Sequence, residues 1–348
     1  MSFHMNLSPQ QAAFYRSIPK VDLHRHLEGS LRLETMQMVI REHEITMPMT
    51  RGLSALVQMQ ANEPSNFETF LSKFQTLRML YRSPEIIQRV TREAIIDAAA
   101  DNVRYLELRF SPAALSRVKQ FPLGDVIDWV MDSASQASRE CGIQVRLIVS
   151  INRHESVALG EEIARLAVER RGRGIVGLDL AGNEAQFPAA PFLDIFRQAR
   201  AGGLKLTLHA GEWGGADNIR QALDEFDADR IGHGVRVVED ENLMAMAAER
   251  GTPFEVCLTS NFQSGVVAGF EGHYLPRLLA AGVNVTLNTD DPSIEGITLG
   301  SEYGLATEAL GVSLPALKER ILAASQAAFL PDAERRLLVE SLRGQLNA

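Results

Sequence analysis

The chain has 348 residues, 45% of them apolar and 23% charged, with 44 acidic against 35 basic side chains and a formal charge of −9. That balance supports a large soluble core and excludes the clustered Lys/Arg surface that a nucleic-acid partner needs. The only two cysteines, Cys141 and Cys257, are too few for a disulfide framework and read as buried thiols of a reducing, cytoplasmic compartment. Residues 1–5 lack the charged start and apolar run of a signal peptide, and no run of about 18 apolar residues offers a membrane span.

The first organised stretch is Pro19-Lys20-Val21-Asp22-Leu23-His24-Arg25-His26-Leu27-Glu28-Gly29. It reads as a strand whose alternate side chains share a face, so His24 and His26 point the same way before Glu28-Gly29 turn the chain out. Two imidazoles so placed can chelate one metal ion if further ligands arrive from elsewhere. The plain alternative is a chance His-x-His in a solvated strand. Leu33 to Arg41 follows with helical spacing. Next, Ser65-Asn66-Phe67-Glu68 fits a capping box, ahead of Phe67, Phe70, Leu71, Phe74 and Leu77 at helical spacing. This inserted helix either packs on the core or forms an apolar lid over a ligand site. Ser83-Pro84 opens another helix, to about Ala100.

Strand-like runs then recur at 103–110, 145–151, 175–180, 204–209, 230–232, 253–257 and 283–287, separated by helical patterns. With the first strand this is the arithmetic of a (β/α)8 TIM barrel, in which reactive residues gather at the C-terminal ends of the strands. A doubly wound open sheet would require a Gly-rich phosphate turn that does not follow the first strand. Helices at roughly 302–346 are expected to cover one side or end of the barrel. No repeat or linker divides the chain, so residues 1–348 are expected to form one domain, with inserted lid helices at about 45–82.

The chemistry collects at predicted strand ends: His209-Ala210-Gly211-Glu212, Gly232-His233-Gly234 and Asn288-Thr289-Asp290-Asp291-Pro292. Individually these could be a core histidine, a turn residue and an Asx turn, but barrel topology brings them to one rim. His24, His26, His209 and Asp290 form a ligand set that suits one zinc ion and a water, with iron or cobalt as substitutes. Bound zinc would lower the pKa of water to about 7. Glu212 is placed for general acid/base work and His233 for orienting or deprotonating that water. Asp291 is placed to hydrogen-bond a substrate. Glu107 and Arg109 share a strand face and are expected to form a structural ion pair. Trp213 is expected to pack or stack near the site, Arg153 and His154 end the third strand at the active rim, and His4, His43 and His273 are expected at the surface.

In these stretches the sequence resembles the adenosine/adenine deaminase family of the amidohydrolase superfamily. The motifs, in family order, are 20–29 (KVDLHRHLEG), 179–184 (DLAGNE), 209–212 (HAGE), 230–234 (RIGHG), 257–266 (CLTSNFQSGV) and 287–294 (LNTDDPSI). The resemblance implies one zinc at His24, His26, His209 and Asp290, with Glu212 protonating N1 of a purine while hydroxide attacks C6 and ammonia leaves. It further implies that His233 assists the hydroxide, that Asp291 faces N7, that the Gly182 N–H meets N3, and that Phe70 and Phe74 lie on the helix covering the substrate. Glu28 corresponds to a sugar-contacting aspartate in members acting on adenosine. Glutamate there is frequent in deaminases of adenine and of larger adenosine derivatives, whereas Thr289 and the 257–266 stretch look more like the adenosine branch. A purine nucleoside or base is the expected partner. Adenosine deamination is the primary reading, with adenine or aminodeoxyfutalosine deamination and a non-catalytic metal-binding barrel as alternatives.

Overall fold

The computed structural model describes residues 7–47 and 52–347. His4, the N-terminal stretch and part of the expected 45–82 insertion therefore lie outside the described residues. Eight strands follow one another in space as in sequence: β1 (Lys20–His26), β2 (Val103–Phe110), β3 (Gln144–Asn152), β4 (Ile175–Ala181), β5 (Lys205–Ala210), β6 (Arg230–His233), β7 (Phe254–Val256) and β8 (Val285–Leu287). Every successive pair is parallel. The ring closes through Asp290, just beyond β8, whose N–H donates to His24 O (2.7 Å) and whose carbonyl accepts the His26 N–H (2.8 Å). The strands and intervening helices make the expected (β/α)8 barrel.

Barrel interiors are usually filled by branched apolar side chains. This one carries buried ions instead. Glu107 and Arg109 are fully buried, but they do not pair with each other as their shared face suggested. Glu107 bonds Arg230, while Arg109 donates to Glu255 (2.8 Å) and lies 3.6 Å from Asp179. Inward-pointing side chains of a barrel extend toward the other strands of the ring, so long charged side chains here find their partners across it.

The C-terminal helices Leu314–Ala327 and Asp332–Asn347 close the end where the strands begin. Their linker supplies Phe329, whose ring lies 3.5 Å from the Arg230 guanidinium and whose N–H donates to Glu107 (2.6 Å). Leu330, Leu338 and Leu342 form a small apolar cluster with Val21, Leu23 and Tyr105. At the opposite rim lies the amphipathic helix Phe67–Arg78. Its cap is Asn66, whose side chain accepts the Thr69 N–H, one residue later than the capping box predicted. Its buried Lys73 donates to Glu63 (2.6 Å) and to the Ala55 carbonyl (2.9 Å), tying the helix to the segment before it. No described helix is long and apolar enough to cross a membrane. Cys257 is buried, whereas Cys141 is only partly so.

His43 is exposed as expected, but His273 is buried. Its Nδ1 accepts the Leu275 N–H (3.0 Å), and its Nε2 meets Asn261 Oδ1 (3.3 Å). Burial pushes this imidazole down to about 3 from 6.5. Between those values the unfolded chain binds the proton and the folded chain does not, so stability rises with pH across the window and the penalty vanishes above it. The effect is at most about 5 kcal/mol. Unfolding by urea between pH 4.5 and 7.5 should show a shallower pH slope in His273→Gln than in the wild type; equal slopes would contradict this assignment.

Candidate active site

Strand geometry delivers the predicted groups to one place. His24 and His26 leave β1 toward the rim, His209 ends β5, His233 ends β6, and Asp290 sits at the closing seam. His24 Nε2 lies 3.2 Å and His26 Nε2 lies 3.3 Å from Asp290 Oδ1, and His26 Nε2 is 3.2 Å from His209 Nε2. Ligands about 2.0–2.1 Å from a tetrahedral ion stand about 3.3 Å apart, so these spacings fit the edges of such a site. His24 Nε2 is buried without a hydrogen-bond partner, as a nitrogen reserved for a metal would be. His24, His209, His233 and Asp290 also offer donor atoms within 4.8 Å of one another. Three imidazoles and a carboxylate are thus available to an ion, with a fourth imidazole adjacent.

The ring orientations are set by partners that sequence reasoning missed. His24 Nδ1 bonds Glu255 (2.8 Å) and His209 Nδ1 bonds Asp179 (3.0 Å), which puts a proton on each Nδ1 and aims each Nε2 lone pair inward. Burial opposes ionisation of Glu255, but Arg109 and Arg230 outweigh it and hold its pKa well below the carboxylate range. A buried chain also fixes His233. Because His273 Nδ1 accepts a backbone N–H, its proton is on Nε2 and goes to Asn261 Oδ1. The Asn261 amide then donates to His233 Nδ1 (3.3 Å). That leaves the His233 proton on Nε2, which faces Glu212 Oε2 and Asp290 Oδ2, each 3.7 Å away. Burial holds the His233 imidazole well below its usual pKa, hence neutral.

Backbone constraints explain the glycines. His233 and Asp290 adopt φ of 58° and 73°, conformations that cost energy in non-glycine residues. At Gly211 (φ 70°) a Cβ would meet Ile219 Cδ1 at 2.2 Å, and at Gly29 it would meet Asp291 Oδ1 at 1.9 Å. Glu212 is presented on the turn that Gly211 permits. Glu184 grips that turn: its carboxylate accepts the N–H groups of Gly211, Glu212 and Trp213 at 3.0, 2.6 and 2.8 Å. Burial, with the charges of Asp290 and Glu184, pushes the Glu212 carboxyl well above its ordinary pKa. Burial and the Asp290 charge do the same to Asp291.

These groups line a cavity of about 310 Å³, within the size range of small-molecule sites. His26, Glu28, Gly182, His209, Glu212, His233, Asp290 and Asp291 are all on its wall, with Phe70 and Phe74 from the Phe67–Arg78 helix above. His24 lies behind the wall. Trp213 lines the cavity and packs on Phe67 (5.9 Å between rings), and His154 lines it as well. Arg153 instead turns away, donating to the His209 carbonyl at 2.6 Å. Asp179 and Glu184 lay within a recognised motif, but Glu255 and His273 carried no signal beyond an inward strand position and a helix start.

A parallel barrel with three imidazoles and a carboxylate converging at its rim, beside a buried acid, is the layout of a metal-dependent hydrolase. The comparisons narrow this. The adenosine deaminase family model matches residues 19–344. An adenosine deaminase of Klebsiella pneumoniae is 39% identical over 327 residues, 93% of this chain and 97% of that protein. Among solved structures, an amidohydrolase from Burkhoderia ambifaria with bound Zn superposes with a TM-score of 0.89 at 26% identity, covering 99% of this chain and 94% of that one. The adenine deaminase of Arthrobacter aurescens gives 0.88 at 25%, covering 95% and 100%. The chain belongs to the adenosine deaminase family of the amidohydrolase superfamily.

Because Asp179 orients a metal-directed imidazole, Asp179→Asn should weaken metal affinity by roughly 10- to 100-fold. Metal content measured during chelator titration tests this, and unchanged affinity would count against the assigned orientation.

Proposed function

We propose that this protein is a zinc-dependent adenosine deaminase that converts adenosine and 2′-deoxyadenosine to the 6-oxo nucleoside and ammonia. The observation that carries the reading is one cavity lined by His26, His209 and Asp290, with His24 directly behind them against Asp290, together with Glu212, a buried carboxyl whose pKa is pushed well up. His24, His26, His209 and Asp290 would hold one zinc per chain. His26 is preferred to His233 as the ligand because its Nε2 has the tetrahedral spacings, whereas the His233 Nε2 bears a proton. When bound, the zinc supplies acidified water, with a pKa of about 7.

Glu212 gives its proton to N1 of the purine, which withdraws electrons from C6. The water oxygen adds at C6 and the ring passes through a tetrahedral carbon; one of the two water protons goes to the departing amine as the C6–N bond breaks and ammonia leaves, and the other returns to the Glu212 carboxylate. His233, as the Nε2–H tautomer, donates toward the adding oxygen and stabilises its charge. Asp291, held protonated, donates to N7, the Gly182 N–H meets N3, and Glu28 faces the N9 substituent. Phe70 and Phe74 cover the base and exclude water. The two free cysteines and the net negative charge are in keeping with a cytoplasmic enzyme folded as a single domain.

Ammonia release by the zinc-loaded protein should be fastest with adenosine and 2′-deoxyadenosine, when compared with adenine and 6-amino-6-deoxyfutalosine. Activity confined to either of the last two would move the protein to another branch of the family. Glu212→Gln should retain zinc yet lower kcat by about 10²-fold or more. Near-normal turnover in that variant would remove Glu212 from the mechanism.

A further inference from the structure

Two groups in the cavity wall have unfilled hydrogen-bonding capacity that the steps above do not use together. Arg78, the last residue of the helix Phe67–Arg78, lines the cavity. Its Nε is buried without a hydrogen-bond partner. Its guanidinium makes no hydrogen bond among the described residues and lies 6.0 Å from the Phe74 ring centroid. Burial lowers its pKa, and the charge acting most strongly on it is Glu28. Glu28 uses only one oxygen: Oε1 accepts the Ser111 N–H at 2.7 Å, whereas Oε2 is buried and unpartnered. Of the other ions nearby, Arg117 pairs with Glu155 at 3.3 Å and burial keeps His154 below its usual pKa.

An open donor and an open acceptor on the wall of one cavity match a group that both accepts and donates, which is an alcohol. An anion would satisfy Arg78 but would bring a further negative charge to Glu28, whose carboxyl burial already pushes up to about 7. A bare nucleobase would leave both unsatisfied, and unpaired buried groups are what give a site its strongest discrimination. Resting on the deaminase reading above, we propose that Arg78 is a specificity-determining residue that, with Glu28, reads a sugar hydroxyl and selects nucleosides over free bases and 5′-phosphorylated nucleotides.

The test is a cycle between residue and substrate. Wild type, Arg78→Met and Arg78→Lys are assayed with adenosine, 2′-, 3′- and 5′-deoxyadenosine, adenine and AMP, with thermal melts to confirm folding. Arg78→Met should raise KM for adenosine roughly 10- to 100-fold, the worth of a hydrogen bond to a charged donor, with kcat little changed. Arg78→Lys should recover part of the loss. For one deoxy analogue, removal of the hydroxyl should cost the wild type about 10-fold more than it costs Arg78→Met. Additive losses on all three deoxy analogues, a loss in kcat alone, or a wild-type preference for AMP or adenine would overturn the proposal. Absence of turnover by the wild type on every substrate would instead strike the deaminase reading.

Discussion

One buried cation holds the site in register. Arg109 lies between Glu255 and Asp179, the carboxylates that orient His24 and His209. Without that guanidinium the two acids would face each other in a dry interior, where burial favours their neutral forms. A neutral acid donates a proton instead of accepting one, and the imidazoles would lose the partners that turn their free nitrogens toward the rim. Arg230 repeats the arrangement one layer down, joining Glu255 to Glu107. Across these layers two guanidinium groups stand against the carboxylates of Glu107, Asp179, Glu255 and Asp290. A divalent ion at the rim would restore neutrality. The polar floor of the barrel and the metal site thus form one electrostatic unit, which explains why this interior departs from the usual aliphatic filling.

The same logic extends outward. Several groups at the cavity are held from another strand or loop. Glu184 grips the turn bearing Glu212, Asn261 and His273 fix the His233 tautomer, and Ser260 donates to Asp290 at 2.7 Å. Stiff support of this kind keeps reacting groups from relaxing toward water, at the cost of strained backbone at His233 and Asp290.

The strands, their order and the convergence of His24, His26, His209, His233 and Asp290 at one rim were legible in the sequence. Strand alternation and barrel topology place side chains with little ambiguity, and few residue types can bind a metal, so His24, His26, His209 and Asp290 stand out against an apolar background. The supporting groups were not legible for the opposite reason. A buried glutamate such as Glu255 looks like any strand acid until its partners are known, and Glu107 and Arg109 looked paired because their true partners lie across the barrel. His273 resembled a surface residue, since the loops that bury it are irregular and leave no periodic trace. Arg78, at a helix C-terminus, would pass for a cation complementing the helix dipole. Sequence pattern records which groups can react; who holds them depends on contacts between distant strands.

The seam at Asp290 bears on how the chain acquires its metal. The residue that closes the ring also supplies the carboxylate ligand, and its partners His24 and His26 lie near the other end of the chain. During synthesis the two imidazoles of the first strand emerge early, on a segment with no completed barrel to hold them. His209 follows much later and Asp290 later still. A nascent chain therefore offers two of the four donors until the fifth strand is made and the carboxylate only after the eighth, so the full donor set exists only once the ring can close.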